Sequence, residues 1–219
     1  MKKPTAFFVV SAWKNDINWI EDYTDNYLIY DKSHTLKKIG KTIRVPNVGY
    51  NIYDECHFII NNYENLPEIT AFLEGNPFDH CKKETFDKLI YRKEFTAIED
   101  YSHIPESGWH KKSDDGGYME RNNSWYIRSH KKTHGPEVGR YLQSYNQFLD
   151  IMFEKPEHPR WIRFSPGGQY IVPRENILYY TINFYKKLIS FVDYHRIPAE
   201  GHVIERVLYY IFTNKWKEK

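Results

Sequence analysis

Residues 74–80 read Glu-Gly-Asn-Pro-Phe-Asp-His. Two carboxylates, an amide and an imidazole within one turn-rich loop could pass a proton or ligate a hard cation. Mg²⁺ and Mn²⁺ accept carboxylate and amide carbonyl oxygens and sometimes imidazole. A carboxylate or imidazole within reach of a hydroxyl serves as a general base. A polar loop leaving a sheet is the alternative reading, and composition does not decide between the two. Position favours a site. Ile69 to Leu73 form a short apolar run suited to a buried strand. In an open α/β sheet, ligands bind at the carboxyl ends of strands. Glu74 onward stands at such an end.

The element before that strand must hold it in place. Ile52, Cys56, Ile59, Ile60 and Tyr63 recur at helical spacing and share one face. Asn65-Leu66-Pro67 ends the helix, because proline biases its predecessor away from helical backbone. Earlier, Phe7 to Ala12 is a β-branched and aromatic run, read as the first strand. Tyr27 to Tyr30 and Thr42 to Val45 read as further strands, with Lys37 to Lys41 as a solvated turn between them. This alternation predicts an α/β fold with a mainly parallel central sheet.

Residues 82–135 are turn-rich and read as an irregular mid-chain excursion, with a helix from Lys82 to Tyr91. Basic and aromatic residues interleave from Trp109 to Lys132, a mixture that grips phosphates or stacks on sugars and bases, or is simply solvated. Gly135-Pro136 is expected to open a helix carrying Val138, Tyr141, Leu142, Tyr145, Phe148, Leu149 and Met152 on one stripe. Trp161 to Phe164 and Gln169 to Val172 read as strands on either side of Ser165-Pro166-Gly167-Gly168. A long helix from Pro173 with Ile177, Thr181, Phe184, Leu188 and Phe191, and a last one with Val203, Val207, Leu208, Ile211 and Phe212, complete the chain.

With 219 residues, the chain is most simply one domain spanning 1–219. Its 31 basic and 29 acidic residues leave a net charge of +2, so no global field draws it to nucleic acid. Cys56 and Cys81 fit neither a metal spacing nor a disulfide framework. The apolar start is at the bottom of the length range of a signal segment and charged residues follow at once, so it reads as the first strand, and no stretch suffices to span a membrane. A soluble, cytoplasmic protein is the expectation. Phosphate-loop, dinucleotide-fingerprint, zinc-helix and serine-elbow motifs are all missing.

The blocks PNVGYNIYDECHFIINNYENLPEITAFLEGNPFDH, VVSAWKNDINWIEDY, YLIYDK, GGQYIVPRENI and HVIERVLYYIF, by their order and spacing together, resemble segments of glycosyltransferase-like proteins long catalogued as domains of unknown function. The resemblance covers both ends and most of the middle, but not residues 82–160. It implies a GT-A-like, Rossmann-like α/β/α sandwich that moves a sugar from a nucleotide-diphosphate donor to an acceptor hydroxyl. The acceptor would be a glycan or a hydroxylated base in DNA.

That resemblance places Ala12, Trp13, Lys14, Asn15 and Asp16 near the nucleotide, with Lys32, Asn47, Gly49, Gln169 and Arg174 as further donor-binding candidates. Asp16 either contacts a ribose or base edge or caps the next helix. The family's Asp-x-Asp metal motif is missing here; Glu74, Asn76 and Asp79 stand in its place as possible Mn²⁺ or Mg²⁺ ligands. Without a metal, Lys14, Lys32 or Arg174 would neutralise the leaving diphosphate. Asp79, His80 and Glu205 are the candidates for base or ligand. A non-catalytic carbohydrate- or nucleic-acid-binding module is the principal rival, and a metal-dependent hydrolase using Asp79 and His80 the third reading.

Overall fold

The computed structural model describes residues 5–37, 41–100, 108–114, 117–123 and 139–219. The strands are β1 (Phe7–Ala12), β2 (Tyr27–Asp31), β3 (Thr42–Arg44), β4 (Ile69–Glu74), β5 (Thr96–Ala97), β6 (His110–Lys112), β7 (Tyr118–Arg121), β8 (Trp161–Phe164) and β9 (Tyr170–Pro173). The helices are α1 (Trp19–Tyr23), α2 (Tyr50–Asn62), α3 (Lys83–Leu89), α4 (Tyr145–Met152), α5 (Arg174–Ile177), α6 (Ile182–Ile189) and α7 (Ala199–Asn214).

Six strands form one sheet in the order β3-β2-β1-β4-β9-β5. The β3-β2-β1-β4 part is parallel, and β9 and β5 complete it antiparallel. The alternation of side chains along these strands supplies two cores. Phe8, Val10, Ile29, Ala71, Leu73 and Ile171 pack on one face with Ile20 and Phe86 of α1 and α3. Val9, Tyr30, Phe72 and Val172 pack on the other with buried residues of α2, α4, α6 and α7. Apolar cover on both faces explains why β1 and β4 read as near-continuous apolar runs.

A second, three-stranded antiparallel sheet runs β6-β7-β8. It occupies part of the expected irregular excursion, so that segment is more regular than its turn-rich composition suggests. Its Trp109 is exposed, with Arg121 over the ring at 6.0 Å, and Lys111 lies 4.6 Å from the Trp161 ring. The basic-aromatic residues from Trp125 to Lys132 lie outside the described residues, as do Gly135, Pro136, Val138 and residues 38–40 of the turn expected from Lys37 to Lys41.

Two helices differ from expectation for identifiable reasons. The one expected to carry Tyr141 and Leu142 begins only at Tyr145, where the Ser144 hydroxyl accepts the Gln147 N–H. The backbone N–H groups of Arg140, Tyr141 and Leu142 are instead gathered by the buried Glu200 carboxylate. The long helix expected after Pro173 is two helices, because Thr181 caps α6 by accepting the Phe184 N–H. No helix among the described residues is long and apolar enough to cross a membrane.

Candidate functional site

The chain lays down β1, β2 and β3 in one direction and then returns to place β4 on the other side of β1. The loops after β1 and β4 therefore diverge, opening a crevice at their carboxyl ends. A cavity of about 490 Å³ lies there. It is lined by Ser11 at the end of β1 with Trp13 and Asn15 beyond it, Lys32 after β2, Glu74 closing β4 with Gly75, Asn76, Asp79 and His80 beyond it, and His202 and Glu205 of α7.

Register brings the first two loops together. Ser11 pairs with Glu74 at the last step of the β1–β4 ladder. Trp19 donates its indole N–H to the Gly75 carbonyl at 2.9 Å, and a Cβ on Gly75 would lie 2.6 Å from Asn15 Oδ1. Only a residue without a side chain lets the loops approach this closely.

The third contributor is the Ser165–Gly168 turn. Gly167, at φ +75°, donates its N–H to Glu205 Oε1 at 2.7 Å and accepts from Asn51 Nδ2 at 2.7 Å. A Cβ there would lie 2.7 Å from Glu74 Cδ and 2.8 Å from His80 Cδ2. One glycine thus packs between Glu74 and His80 while its backbone binds Glu205 and Asn51.

The carboxyls differ in their surroundings. Burial, then the neighbouring Glu205 and Asp79, push Glu74 up to about 8, so it holds a proton at neutral pH. His80 Nε2 stands 3.5 Å from Glu74 Oε2. Asp79 Oδ1 accepts the Asn76 amide at 2.6 Å. Glu205 Oε2 pairs with Arg206 at 3.2 Å. Behind the cavity wall, Glu55 is pushed well above its ordinary range by burial and by Asp54, Glu205 and Glu74.

Lys32 lines the cavity, but its ammonium is engaged: it lies 3.2 Å from the buried Asp54 carboxylate and donates to the Val48 carbonyl. Burial raises Asp54 to about 7 even against the opposing pull of Lys32 and the Ser11 hydroxyl, which also donates to it. Arg196, exposed on the rim, stands 5.4 Å over the Trp13 ring.

Trp13, Asn15, Lys32, Asn47, Glu74, Asn76, Asp79, His80 and Glu205 are thus brought to one cavity. The other candidates are not among its lining residues. Ala12 is buried in β1, where its carbonyl accepts the Lys32 N–H. Lys14 turns outward at φ 58°, its ammonium 5.4 Å from Trp13. Asp16 accepts the Asn18 N–H in a turn ahead of α1, but it does not cap that helix as weighed for it: Asn18 holds the N-cap position, with no side-chain cap bond. Gly49 opens α2 and binds the His195 carbonyl. Gln169 is fully buried, donating to the Pro77 carbonyl.

Arg174 is a correction. It follows β9, which runs antiparallel to β4, so it sits beside the start of β4, where Pro67 and Glu68 carbonyls hold it. That is the opposite end of the sheet, and Arg174 cannot reach a group in the cavity. The guanidinium that does line the cavity is that of Arg196. Arg196, His202, Asn51, Tyr50 and Gly167 were not anticipated. The Pro-Gly-Gly turn and the polar Tyr194-His195-Arg196 run before Pro198 were visible, but nothing local said where they would fold.

The donors for a divalent cation are in one place but engaged pairwise, Asn76 with Asp79 and His80 with Glu74. Among the described residues, no group of three or more His, Cys, Asp or Glu side chains could hold a metal ion. The arrangement as it stands does not fit a closed metal site. It can hold a polyhydroxyl ligand with amides and carboxyls, stack an aromatic or sugar face on Trp13, and meet an anion with Arg196.

No curated protein and no solved structure matches the chain. Residues 8–218 match the family model described as Protein of unknown function (DUF3431), and with nearly its whole length covered the chain belongs to that family.

Proposed function

We propose that the protein is a glycosyltransferase that moves a sugar from a nucleotide-diphosphate donor to an acceptor hydroxyl, on a GT-A-like sheet. The observation that carries this reading is the cavity at the β1/β4 reversal, where the Trp13 turn and the Glu74–His80 loop face one space. In this reading the base stacks on Trp13 and the diphosphate meets Arg196, with Asn15, Asn47 and Asn51 on sugar and ribose hydroxyls.

The acceptor oxygen attacks the anomeric carbon, forming the new glycosidic C–O bond. The bond from that carbon to the diphosphate oxygen breaks, and its electron pair leaves with the diphosphate. The proton from the acceptor hydroxyl goes to Asp79, whose second oxygen remains available after Asn76 engages Oδ1. Glu74, protonated at neutral pH, lies near the anion without repelling it and donates a hydrogen bond as negative charge develops. Arg196 supplies the compensating positive charge.

The pairwise engagement of the loop's donors favours a second reading, a nucleotide-sugar or carbohydrate-binding module without turnover. A panel of nucleotide sugars, with released nucleoside diphosphate measured with and without Mn²⁺, separates the two. Release from one donor, lost at least 100-fold in Asp79→Ala with an unchanged melting temperature, supports transfer. Stabilisation by a nucleotide with no release supports the binding module. Full activity in Asp79→Ala removes that loop from the mechanism.

A further inference from the structure

The basic and aromatic residues that begin at Trp109 have a place in the fold that the cavity does not use. Trp109 stands just before β6, and its carbonyl accepts the Arg121 N–H of β7 at 2.8 Å. Arg121 in turn pairs with Trp161 of β8. Residues directly opposite one another share a face. An indole, a guanidinium and a second indole therefore form one row across the three-stranded sheet. The two indoles are two strand spacings apart, about 10 Å. Lys111 pairs with Met119 in the next row and reaches diagonally, its ammonium 4.6 Å from the Trp161 ring. The other face of these strands is the buried one. Ile162 and Phe164 belong to the core with α7, and Glu120 binds Arg206 of α7 at 2.8 Å. The row with Trp109 faces outward.

Both cations on this face are held by rings and not by carboxylates. Arg121 stands 6.0 Å over the Trp109 ring, and Trp109 is still 56% exposed with it there. Among the described residues, neither Lys111 nor Arg121 has an ion-pair partner, and both side chains are exposed. An aromatic face steadies a cation without cancelling its charge. The face thus presents two charges open to an anion beside indole surface open to a flat apolar partner.

A uronic acid residue meets both demands at once. One C–H face of its ring packs on an indole, and its carboxylate pairs with the cation alongside, best with the planar fork of Arg121. Single-stranded nucleic acid also offers flat rings, but it brings a phosphate with every base and uses a continuous cationic track. Here two cations are set among two indoles, on a chain whose net charge is +2. Sparse charge with ring faces between is the pattern of an acidic glycan. We propose that the outer face of β6-β7-β8 is a binding site for a glycan of uronic acid residues. This site does not depend on the transferase reading.

Calorimetric titration of the full chain with galacturonate and glucuronate tetrasaccharides tests this, each supplied as the free acid and as the methyl ester. Esterification removes the charge and keeps the ring faces. At least one acid is expected to bind at least tenfold tighter than its ester at neutral pH. The double variant Lys111→Gln with Arg121→Gln should weaken that binding at least tenfold, and Trp109→Ala at least fivefold, with melting temperature and nucleoside-diphosphate affinity unchanged. Lys112→Gln is the control: Lys112 is exposed but alternates to the other face, so binding should change less than twofold. Binding of neither acid, equal binding of acid and ester, equal loss in the control and the double variant, or tighter binding of a single-stranded thymidine oligonucleotide overturns the proposal. Uronate binding without turnover of any nucleotide sugar sinks the transferase reading alone; turnover without uronate binding sinks this proposal alone.

Discussion

Glu74 shows how one side chain sets a condition on the whole protein. It takes up a proton at about 8 in the folded state, against an ordinary carboxyl value of 4.5 when unfolded. Between those two pH values the folded state binds the extra proton, so stability falls as pH rises through that window. Below it the contribution is fully present; above it, it is lost. With 30% of the side chain exposed, solvent screening leaves about 1–2 kcal/mol of the effect. Glu74→Gln should therefore lose that much less stability than the parent between pH 5 and pH 8.5, measured by urea unfolding at both. Parallel pH dependence in the two proteins would show that Glu74 is not the proton-holding group. Lys32 makes a different demand. Lys32→Met leaves Asp54 buried beside Ser11 without its cation and should cost about 3–5 kcal/mol in the same assay at neutral pH. At this scale Lys32 entered through the resemblance, as a cation for the leaving diphosphate, with no sign in the sequence that a carboxylate on the buried side of α2 would take its charge. Helical spacing identifies a face from its apolar members, and a buried acid on that face looks like an interruption.

The elements that were legible are those whose side-chain period is strong. β1 runs Phe7–Ala12 and β8 runs Trp161–Phe164 as expected, β4 ends one residue past its apolar run, and α7 begins at Ala199, right after the expected break at Pro198. What failed depended on distant partners. Tyr141 and Leu142 kept the helical spacing but lost the helix to Glu200, fifty-eight residues and more away. The short strands β5, β6 and β7 carry two to four residues each, too few to show a period before their neighbours are known. The Ser165–Gly168 turn was read as a spacer between strands, whereas its Gly167 meets residues from α2, the β4 loop and α7. Gly167→Ala should therefore do two things. Its positive φ and the contacts under 3 Å should cost about 1–3 kcal/mol of stability. The new methyl should also part Glu74 from His80 and weaken nucleotide binding at least tenfold. Gly108→Ala, where a Cβ meets nothing within 4 Å, is the control and should be neutral in both measurements. Equal effects at the two glycines would mean that the turn does not organise the cavity.

At the scale of the molecule, the order β3-β2-β1-β4 matters more than any single loop. Had β4 joined the outer edge beside β3, the Trp13 turn and the Glu74 loop would stand at separate places. Because it returns to β1, residues more than sixty positions apart line one chamber. α7 then crosses to supply His202 and Glu205 from one side while Val203, Ile204, Val207 and Ile211 hold it in the core. Sequence alone indicated parallel strands but not their order, since order is set by which faces α2 and α7 must cover. A ligand in this chamber should consequently be felt by three segments at once, 13–16, 75–80 and 196–205. Hydrogen exchange with and without a saturating nucleoside diphosphate can test this, because binding at 100 times Kd stabilises the bound state by about 2.7 kcal/mol over local openings that expel the ligand. Protection should rise together in the three segments and remain unchanged at α5, on the far end of the sheet with Arg174. Protection confined to one segment would place the nucleotide outside the crevice and separate the β1 and β4 loops in function, whatever their distance in space.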